Sequence, residues 1–270
     1  MVPVASARMY SWSPTLTAAW RRLLEWVEAR ARVGLKVLEL ADPYPLEELW
    51  ARDDLGCVFM CGYPWAMRDV RPHLLAVPVP SPPRYGGRPI YFTDFVVRAD
   101  SAYRTLEDTF GGRIAYSIEH SHSGYNAARF HLLPYRRPDR PTFYSQVLGP
   151  LHRQLPVIDA VLDGRADVGP VDAYGLDLLR RHGAERAQRV RVVATTVEAP
   201  SAPLVASPAV DPGTRKRLTD ALLAAHTAPE LASTLDELLI ARFVGADPAA
   251  FDVMLERQHQ AESAGYPRLA

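Results

Sequence analysis

The sequence predicts an α/β fold built on a mainly parallel sheet. Short apolar runs typical of buried strands alternate with segments whose apolar residues recur at helical spacing. Gly- and Pro-containing turns separate these segments. Such alternation is typical of parallel strands joined by crossover helices. The 270 residues, 48% of them hydrophobic, suffice for one large domain or two lobes of roughly 100–150 residues each.

The first strand and helix have clear boundaries. The apolar run Val2 to Met9 predicts a strand. Ser13 is a good N-cap and Pro14 a good first helical residue. Gly34 is expected to end this helix. Its apolar face recurs at helical spacing, at Leu16, Trp20, Leu23, Leu24 and Val27.

The same alternation continues to residue 133. The segments Leu35 to Leu40, Cys57 to Cys61 and Leu74 to Val79 are apolar runs, and Pro45 to Arg52 predicts a short helix. A Pro- and Gly-rich loop at 80–89 precedes the β-rich segment that follows. The later predicted elements are strands over Ile90 to Arg98 and Arg113 to Ser117, a short helix or turn over Leu106 to Gly112, and a helix over Tyr125 to Leu133.

The second half is predicted to be richer in helix. A helix is predicted over Val157 to Asp163, and the strand Ala166 to Val171 ends at Asp172. Beyond it we expect a helix over Ala173 to Arg181, a strand over Val190 to Thr195, and tail helices over Arg215 to Ala225, Pro229 to Leu239 and Asp247 to Glu262.

Charge and cysteine content exclude several classes of protein. Thirty-one basic and 31 acidic residues argue against a general nucleic-acid binder and against a polybasic membrane-surface protein. No stretch reaches the roughly 18–20 apolar residues of a membrane span. Cys57 and Cys61 are expected to be buried and reduced. Met1 to Ser13 lacks the pattern of a secretory signal, so either a signal was removed or the protein is cytoplasmic.

Polar residues gather where predicted strands end, and parallel sheets bind ligands at that edge. The richest segment is Glu119-His120-Ser121-His122-Ser123-Gly124-Tyr125, between a strand and a helix. A helix N-terminus with serine donors suits a phosphate, phosphonate, sulfate or carboxylate. The alternative is an ordinary serine N-cap.

Other chemistries have weaker support. His120 and His122, with Glu119 and His131, contain metal-ligand types, but no second ligand motif follows, and we predict no metal and no cofactor. A serine hydrolase is disfavoured because no G-x-S-x-G elbow surrounds Ser121 or Ser123. The sequence leaves open whether Asp172 is a ligand contact or the N-cap of the next helix.

Taken together, several motifs resemble the phosphate/phosphite/phosphonate substrate-binding proteins of ABC transporters. Ser121-His122-Ser123-Gly124-Tyr125 is similar to the family's Ser-x-Ser-Gly-Tyr anion loop, and residues 160–172 to its A-V-x-x-G-x-A-D-x-x-x-x-D signature. The segment 106–115 is similar to its L-x-D-L-x-G-K-x-V-A run. Weaker similarities are Cys61-Gly62-Tyr63-Pro64 and the stretch from Tyr91 to Ser101.

The resemblance implies a type 2 periplasmic-binding-protein fold, in which two α/β lobes enclose a ligand cleft. Residues 1–92 and 200–270 would form lobe one, and 93–199 lobe two. It further implies that anion-loop groups and tyrosines hold the ligand, while an aspartate receives any amino group. The candidate ligand-binding residues are Tyr10, Tyr63, Tyr91, Thr93, Ser121, His122, Ser123, Tyr125, His152 and Asp172.

Three positions differ from the family's usual pattern. His122 stands where Thr, Ser or Gln is usual, and we expect its titration to make anion affinity vary between pH 5 and 8. The spacing before the 157–163 helix makes Gln154 an alternative to His152. Pro170 interrupts the small apolar run before Asp172.

The resemblance implies non-enzymatic binding of a small oxyanion, phosphonate- or phosphate-like, as the solute-binding component of an ABC transporter with a permease partner. The location is then periplasmic if a signal was removed and otherwise cytoplasmic. One alternative is a cytoplasmic enzyme of the same fold, similar to those of menaquinone biosynthesis, acting on a small carboxylated substrate with Asp172, His122 or His152 as acid or base. Another is a ligand-sensing protein.

Overall fold

The computed structural model describes residues 2–38 and 45–270. The chain divides into two compact units. Unit one comprises Met1–Ile90 and Pro200–Ala250, and unit two comprises Tyr91–Ala199 and Phe251–Ala270. Each unit is described here by itself.

The strands are mostly short. In chain order they are β1 (Val4–Ser6), β2 (Lys36–Val37), β3 (Leu55–Phe59), β4 (His73–Pro80), β5 (Ile90–Tyr91), β6 (Thr93–Arg98), β7 (Arg113–Ala115), β8 (Gln146–Leu148), β9 (Gly169–Asp172), β10 (Val190–Thr195), β11 (Ala199–Pro200), β12 (Leu204–Ala206) and β13 (Ile240–Val244).

The helices range from one turn to five. They are α1 (Pro14–Ala31), α2 (Leu46–Trp50), α3 (Gly62–Ala66), α4 (Ala127–Leu132), α5 (Gln154–Leu162), α6 (Ala173–His182), α7 (Ala184–Gln188), α8 (Pro212–Ala224), α9 (Ala232–Glu237) and α10 (Asp252–Ser263). A π-helical turn over His122–Asn126 leads directly into α4. Among the described residues, no helix is long and apolar enough to cross a bilayer.

The sheet of unit one is mixed, so the prediction of a mainly parallel sheet is wrong. Its order is β13-β4-β12-β3-β1-β2. Pairing is parallel around β1, but β12 runs antiparallel to both β3 and β4, and β13 runs antiparallel to β4. Both antiparallel strands come from the returning chain after residue 200. Neither was predicted, because β12 is very short and β13 lies directly after a predicted helix.

Helix α1 shows how far local signals determine an element. Ser13 Oγ accepts a hydrogen bond from the Leu16 N–H at 3.2 Å, and Pro14 is the first helical residue, as predicted. The helix ends at Arg32, in the left-handed region at φ 52°, and not at Gly34. The Glu28 carboxylate accepts the N–H groups of Gly34 and Leu35, which fixes the chain beyond the helix.

Other boundaries differ by a few residues. Of the predicted strand Leu35 to Leu40, residues 36–37 form β2, while 39 and 40 lie outside the described residues. The predicted helix Pro229 to Leu239 is a 3₁₀ turn followed by α9. Cys57 and Cys61 are free and buried, and burial raises the pKa of the Cys57 thiol to about 12.

Unit two is built on two small groups of strands. β6 lies between β10 and β9, antiparallel to both. β7 pairs parallel with β8, which was not predicted, and Ile114 in β7 forms a parallel bridge to Val168 just before β9. The carboxyl ends of β7 and β9 therefore lie at the same edge. The core around them includes Phe95, Val97, Leu106, Ile114, Tyr125, Ala128, Leu132, Phe143, Val168 and Tyr266.

The chain's last twenty residues belong to unit two, which corrects their assignment to lobe one. Asn126 Nδ2 donates to the Met254 carbonyl at 2.8 Å, and the Leu269 N–H donates to the Tyr125 hydroxyl at 3.2 Å. The Phe143 N–H donates to the Ala270 carbonyl at 2.8 Å. The periodicity of this tail predicted a helix but carried no information about which unit it packs on. The exact lobe boundaries stay a prediction.

Candidate functional site

The candidate site in unit two begins where β7 and β9 end. After β9, the Asp172 carboxylate caps α6, accepting the Gly175 N–H at 2.9 Å. After β7, the chain passes through Ser117 to Ser121, where the next helical segment begins. Two helix N-termini thus follow neighbouring parallel strands, the arrangement at which α/β sheets bind ligands.

The helical segment at Ser121 starts with a side-chain cap. Ser121 Oγ accepts the Gly124 N–H at 3.0 Å. The next residues form the π-helical turn, and α4 extends it to Leu132, so the segment is 11 residues long. The N–H groups of a first helical turn have no carbonyl partner in their own helix and carry a partial positive charge. This turn can therefore receive an oxyanion.

Two hydroxyls beside this turn lack a hydrogen-bond partner. Ser117 is 2% exposed, Thr93 is 1% exposed, and neither side-chain oxygen has a partner in the part of the chain that the structure describes. Ser117 lies against the turn, since a Cβ added to Gly124 would stand 1.9 Å from Ser117 Oγ. Thr93 pairs with Asp172 in the β6–β9 register. Sequence reasoning named Thr93 but missed Ser117, because a serine after a strand is common.

Gln154, the first residue of α5, connects the two strand ends. Its Nε2 donates to Ser123 Oγ at 3.4 Å, and its Oε1 accepts the Asp172 N–H at 3.2 Å. The predicted His152 is exposed and adopts a φ of 62°, and its N–H donates to the Ser117 carbonyl at 2.7 Å. Gln154, which the spacing offered as the alternative, is therefore the residue in hydrogen-bond contact with the anion-loop serine.

His122 is deeply buried and neutral. It is 1% exposed; Arg257 Nη1 lies 3.3 Å from its Nε2, and Asn126 Nδ2 lies 3.3 Å from its Nδ1. Burial and the Arg257 charge lower the pKa of His122 to about 3. This contradicts the expectation that His122 titrates between pH 5 and 8. The sequence could not show it, because Arg257 is 135 positions away in the chain.

The two predicted tyrosines of unit two differ in their surroundings. The Tyr91 ring lies 6.2 Å from the His122 ring and is buried. The Tyr125 ring packs 5.1 Å from that of Tyr116, and its hydroxyl accepts the Leu269 N–H. Tyr125 thus ties the anion loop to the C-terminus. The short hydrogen bond from the Tyr116 hydroxyl to Glu119, together with burial, raises the pKa of Tyr116.

The candidates of unit one lie in its own core. Tyr10 is buried, with its ring 5.3 Å from Phe59 and 6.4 Å from Trp20. Tyr63 is buried in α3, which follows β3 after three residues. Both therefore lie near the ends of β1 and β3, two strands that pair in parallel.

The structure gives no support to a metal site. Over residues 2–38 and 45–270, no group of three or more His, Cys, Asp and Glu side chains is placed to hold an ion. His131, one of the residues considered from the sequence, lies 5.4 Å from the Phe95 ring in the core of unit two. Burial lowers the pKa of its imidazole.

Comparison with known families identifies the chain's relatives. The profile described as "ABC transporter, phosphonate, periplasmic substrate-binding protein" matches residues 10–251. The match confirms the resemblance inferred from the anion-loop and A-V-x-x-G motifs. No curated protein matches the sequence.

Solved structures agree on the fold. A binding-protein component of an ABC phosphonate transporter from Pseudomonas aeruginosa is 17% identical, with a TM-score of 0.80 over 98% of this chain and 88% of that one. PhnD1 from Prochlorococcus marinus, in complex with methylphosphonate, is 14% identical, with a TM-score of 0.77 over 97% and 98%. A protein from Xanthomonas citri bound to ATP is 21% identical, with a TM-score of 0.66 over 98% of both chains. At these identities, the likeness shows the α/β fold of the two-lobe periplasmic binding proteins.

Proposed function

Because the chain belongs to the periplasmic substrate-binding proteins of ABC phosphonate transporters, we propose that it binds a small phosphonate- or phosphate-like oxyanion at the Ser117–Gly124 segment. The ligand is bound and released chemically unchanged. Ser121, Ser123, Thr93 and Asp172 remain candidate contacts, as do Tyr10, Tyr63 and Tyr91. For Tyr125 and His152 we propose a structural role, because the Tyr125 hydroxyl and the His152 N–H hold other parts of unit two.

One observation carries this proposal: the Ser117 hydroxyl is buried and has no partner in the described chain. An unsatisfied buried hydroxyl costs about 1–3 kcal/mol of stability. A bound oxyanion would accept the Ser117 proton and remove that cost. The hydroxyl also lies beside a helix N-terminus whose partial charge favours anions.

The serine hydroxyls of the anion loop are oriented for donation. Gln154 donates to Ser123 Oγ, so the Ser123 proton is directed to a different acceptor. Ser121 Oγ likewise accepts from the Gly124 N–H and keeps its own proton for another acceptor. A fully ionised oxyanion has only acceptors, which matches a set of donors. This supports a phosphonate- or phosphate-like head group.

The family also suggests how the protein is used. Substrate-binding proteins of this class work outside the cytoplasmic membrane and deliver ligand to a permease. We therefore propose a periplasmic location and an ABC permease as partner. Co-purification of the protein with permease only in the presence of ligand is the expected result, and equal recovery without ligand would contradict it.

Calorimetric titration of the purified protein tests ligand binding. The panel is methylphosphonate, aminoethylphosphonate, phosphate, phosphite and sulfate, with acetate and malonate as carboxylates. We expect heat with the phosphorus oxyanions and none with the carboxylates. Binding of carboxylates alone, or recovery of a chemically altered ligand, would contradict the proposal and favour an enzyme of the same fold.

Ser117→Ala separates binding from folding. Loss of a hydrogen bond to a charged ligand corresponds to an affinity decrease of about tenfold to a hundredfold. The same change should leave stability unchanged or slightly higher, because it removes an unsatisfied hydroxyl. Ser263→Ala, an exposed serine of unit two, is the matched control and should change neither quantity. Unchanged affinity in Ser117→Ala would refute the role of this hydroxyl.

A further inference from the structure

The C-terminal helix α10 places a buried positive charge behind the anion loop. Arg257 is 7% exposed. Its Nη1 lies 3.3 Å from His122 Nε2, its Nη2 donates to the Glu198 carbonyl at 2.6 Å, and its guanidinium stands 5.5 Å from the Phe130 ring. Within the described chain, none of these contacts is a carboxylate.

A buried guanidinium without a counterion is costly, because burial removes its hydration. Burial lowers the pKa of Arg257, while the charges of Glu198 and Glu256 and the nearby Tyr91 oppose that shift. Arginine nevertheless stays protonated at any physiological pH. The charge is therefore retained, and its stabilisation must come from groups other than an ion pair in the described residues.

A second buried guanidinium lies along the same helical segment. Arg129 is 3% exposed, donates to the Asn126 side-chain oxygen at 3.2 Å and to the Pro267 carbonyl, and lies 5.7 Å from the Tyr125 ring. Its contacts in the described chain also contain no carboxylate. The two arginines thus give the N-terminal part of this segment two buried positive charges.

Asn126 and His122 connect the two guanidinium groups without neutralising them. Asn126 accepts from Arg129 and donates to the Met254 carbonyl, which fixes the orientation of its amide. A neutral imidazole has only one acceptor nitrogen. The positive charge of Arg257 favours the lone pair on Nε2, so we place the His122 proton on Nδ1.

We propose that Arg257 makes the site select doubly charged over singly charged oxyanions, acting as a positioning and charge-supplying residue behind His122. This inference rests on the proposed function and names its ligand class. A second negative charge on the ligand gains Coulomb energy from a nearby guanidinium in a poorly hydrated site. Asp172 at the neighbouring strand end disfavours anions, and the two guanidinium groups offset its charge.

Two ligands of the same shape but different charge test this. Methylphosphonate is a dianion at pH 8.5, and methanesulfonate is a monoanion with the same methyl group and three oxygens. We expect the protein to bind methylphosphonate at least about tenfold more tightly, as expected for one added charge in a partly buried site. Calorimetric titration or competition measures the ratio.

Substitution of the arginine should change this ratio and not only the affinities. Arg257→Gln should reduce the preference at least about fivefold, while Arg257→Lys, which keeps the charge, should retain most of it. Arg104→Gln removes one positive charge from an exposed position of unit two and should leave the ratio unchanged. An equal loss for both ligands in Arg257→Gln would mean that Arg257 is only structural, which overturns the inference.

The outcomes distinguish this inference from the proposed function. If the wild-type protein binds both ligands equally, charge selection is wrong while oxyanion binding stands. If it binds neither these nor the other phosphorus oxyanions, the proposed function fails and this inference with it. Should Arg257→Gln not fold, a loss of preference in Arg257→Lys, with charge retained, overturns the inference in the same way.

Discussion

Two serine-capped helices of this chain look alike in sequence but differ in their surroundings. Ser13 caps α1 in unit one by accepting the Leu16 N–H at 3.2 Å, and Ser121 caps the anion-loop helix by accepting the Gly124 N–H at 3.0 Å. Ser13 is partly exposed, and the helix that it starts serves the core of unit one. The turn after Ser121 is buried, with Ser117 beside it and Arg257 behind it. A capped helix start thus becomes a candidate anion site through what packs around it.

The largest expected effect comes from filling the space between Ser117 and the turn. Gly124→Ala would place a Cβ 1.9 Å from Ser117 Oγ, which forces the loop or the serine to move. We expect ligand affinity to fall more than about a hundredfold and stability to fall by about 1–3 kcal/mol, as in overpacked sites. Calorimetric titration and urea unfolding measure the two.

Two further variants show whether the clash itself is responsible. Gly245→Ala, at a glycine with open space around it, should change neither affinity nor stability. The double change Gly124→Ala with Ser117→Gly removes the colliding hydroxyl and should recover stability without recovering affinity. Full affinity in Gly124→Ala would show that the ligand does not depend on this close contact.

A smaller effect concerns His122 and pH. Burial, with the Arg257 charge, puts the pKa of folded His122 at about 3, below the unfolded value of 6.5. The unfolded state therefore binds a proton that the folded state excludes, so stability falls as pH decreases below about 6.5. The expected loss between pH 8 and pH 5 is about 2 kcal/mol from this group.

Urea unfolding of the wild type and of His122→Gln at pH 5 and pH 8 isolates this contribution. The variant should lose about 2 kcal/mol less than the wild type over that interval. His226→Gln, at an exposed histidine, serves as the control. Affinity for sulfate or methanesulfonate, whose charge is constant in this range, should not follow a transition near pH 6.5. A binding transition there would mean that His122 titrates in the folded protein.

The smallest effect compares the two caps directly. Ser13→Ala and Ser121→Ala each remove an N-cap and should each lower stability by about 1 kcal/mol. Only Ser121→Ala should also weaken oxyanion binding, by about tenfold, because its hydroxyl is a proposed donor. If Ser13→Ala weakened binding to the same degree, the effect would come from general destabilisation, and the contrast between the two helix starts would be wrong.

Local chemistry predicted part of this molecule well. The start of α1 follows from Ser13 and Pro14, which act within one turn. The anion-loop motif indicated the correct family because adjacent residues carry it. The antiparallel strands β12 and β13 could not be predicted in the same way, since their partners β3 and β4 lie more than a hundred residues earlier in the chain.

The candidate site shows the same limit. Ser121 and Ser123 stand out in the sequence, whereas Ser117 is noteworthy only because its buried hydroxyl has no partner in the described residues. The neutral state of His122 depends on Arg257, and the placement of the last twenty residues on unit two depends on contacts such as that of Met254 with Asn126. Such distant contacts leave no periodic or motif signal.

The packing of the C-terminus on unit two has a consequence for how the protein is made. A ribosome releases the chain from its N-terminus onward, so α10 and Ala270 emerge last. Until then, His122 has no Arg257, Tyr125 has no Leu269 N–H, and Phe143 has no Ala270 carbonyl to bind. The nascent chain therefore carries its anion loop long before it can hold that loop in place. A truncated product of a damaged message would lack the contacts that order the loop, so oxyanion affinity reports that translation reached the final codon.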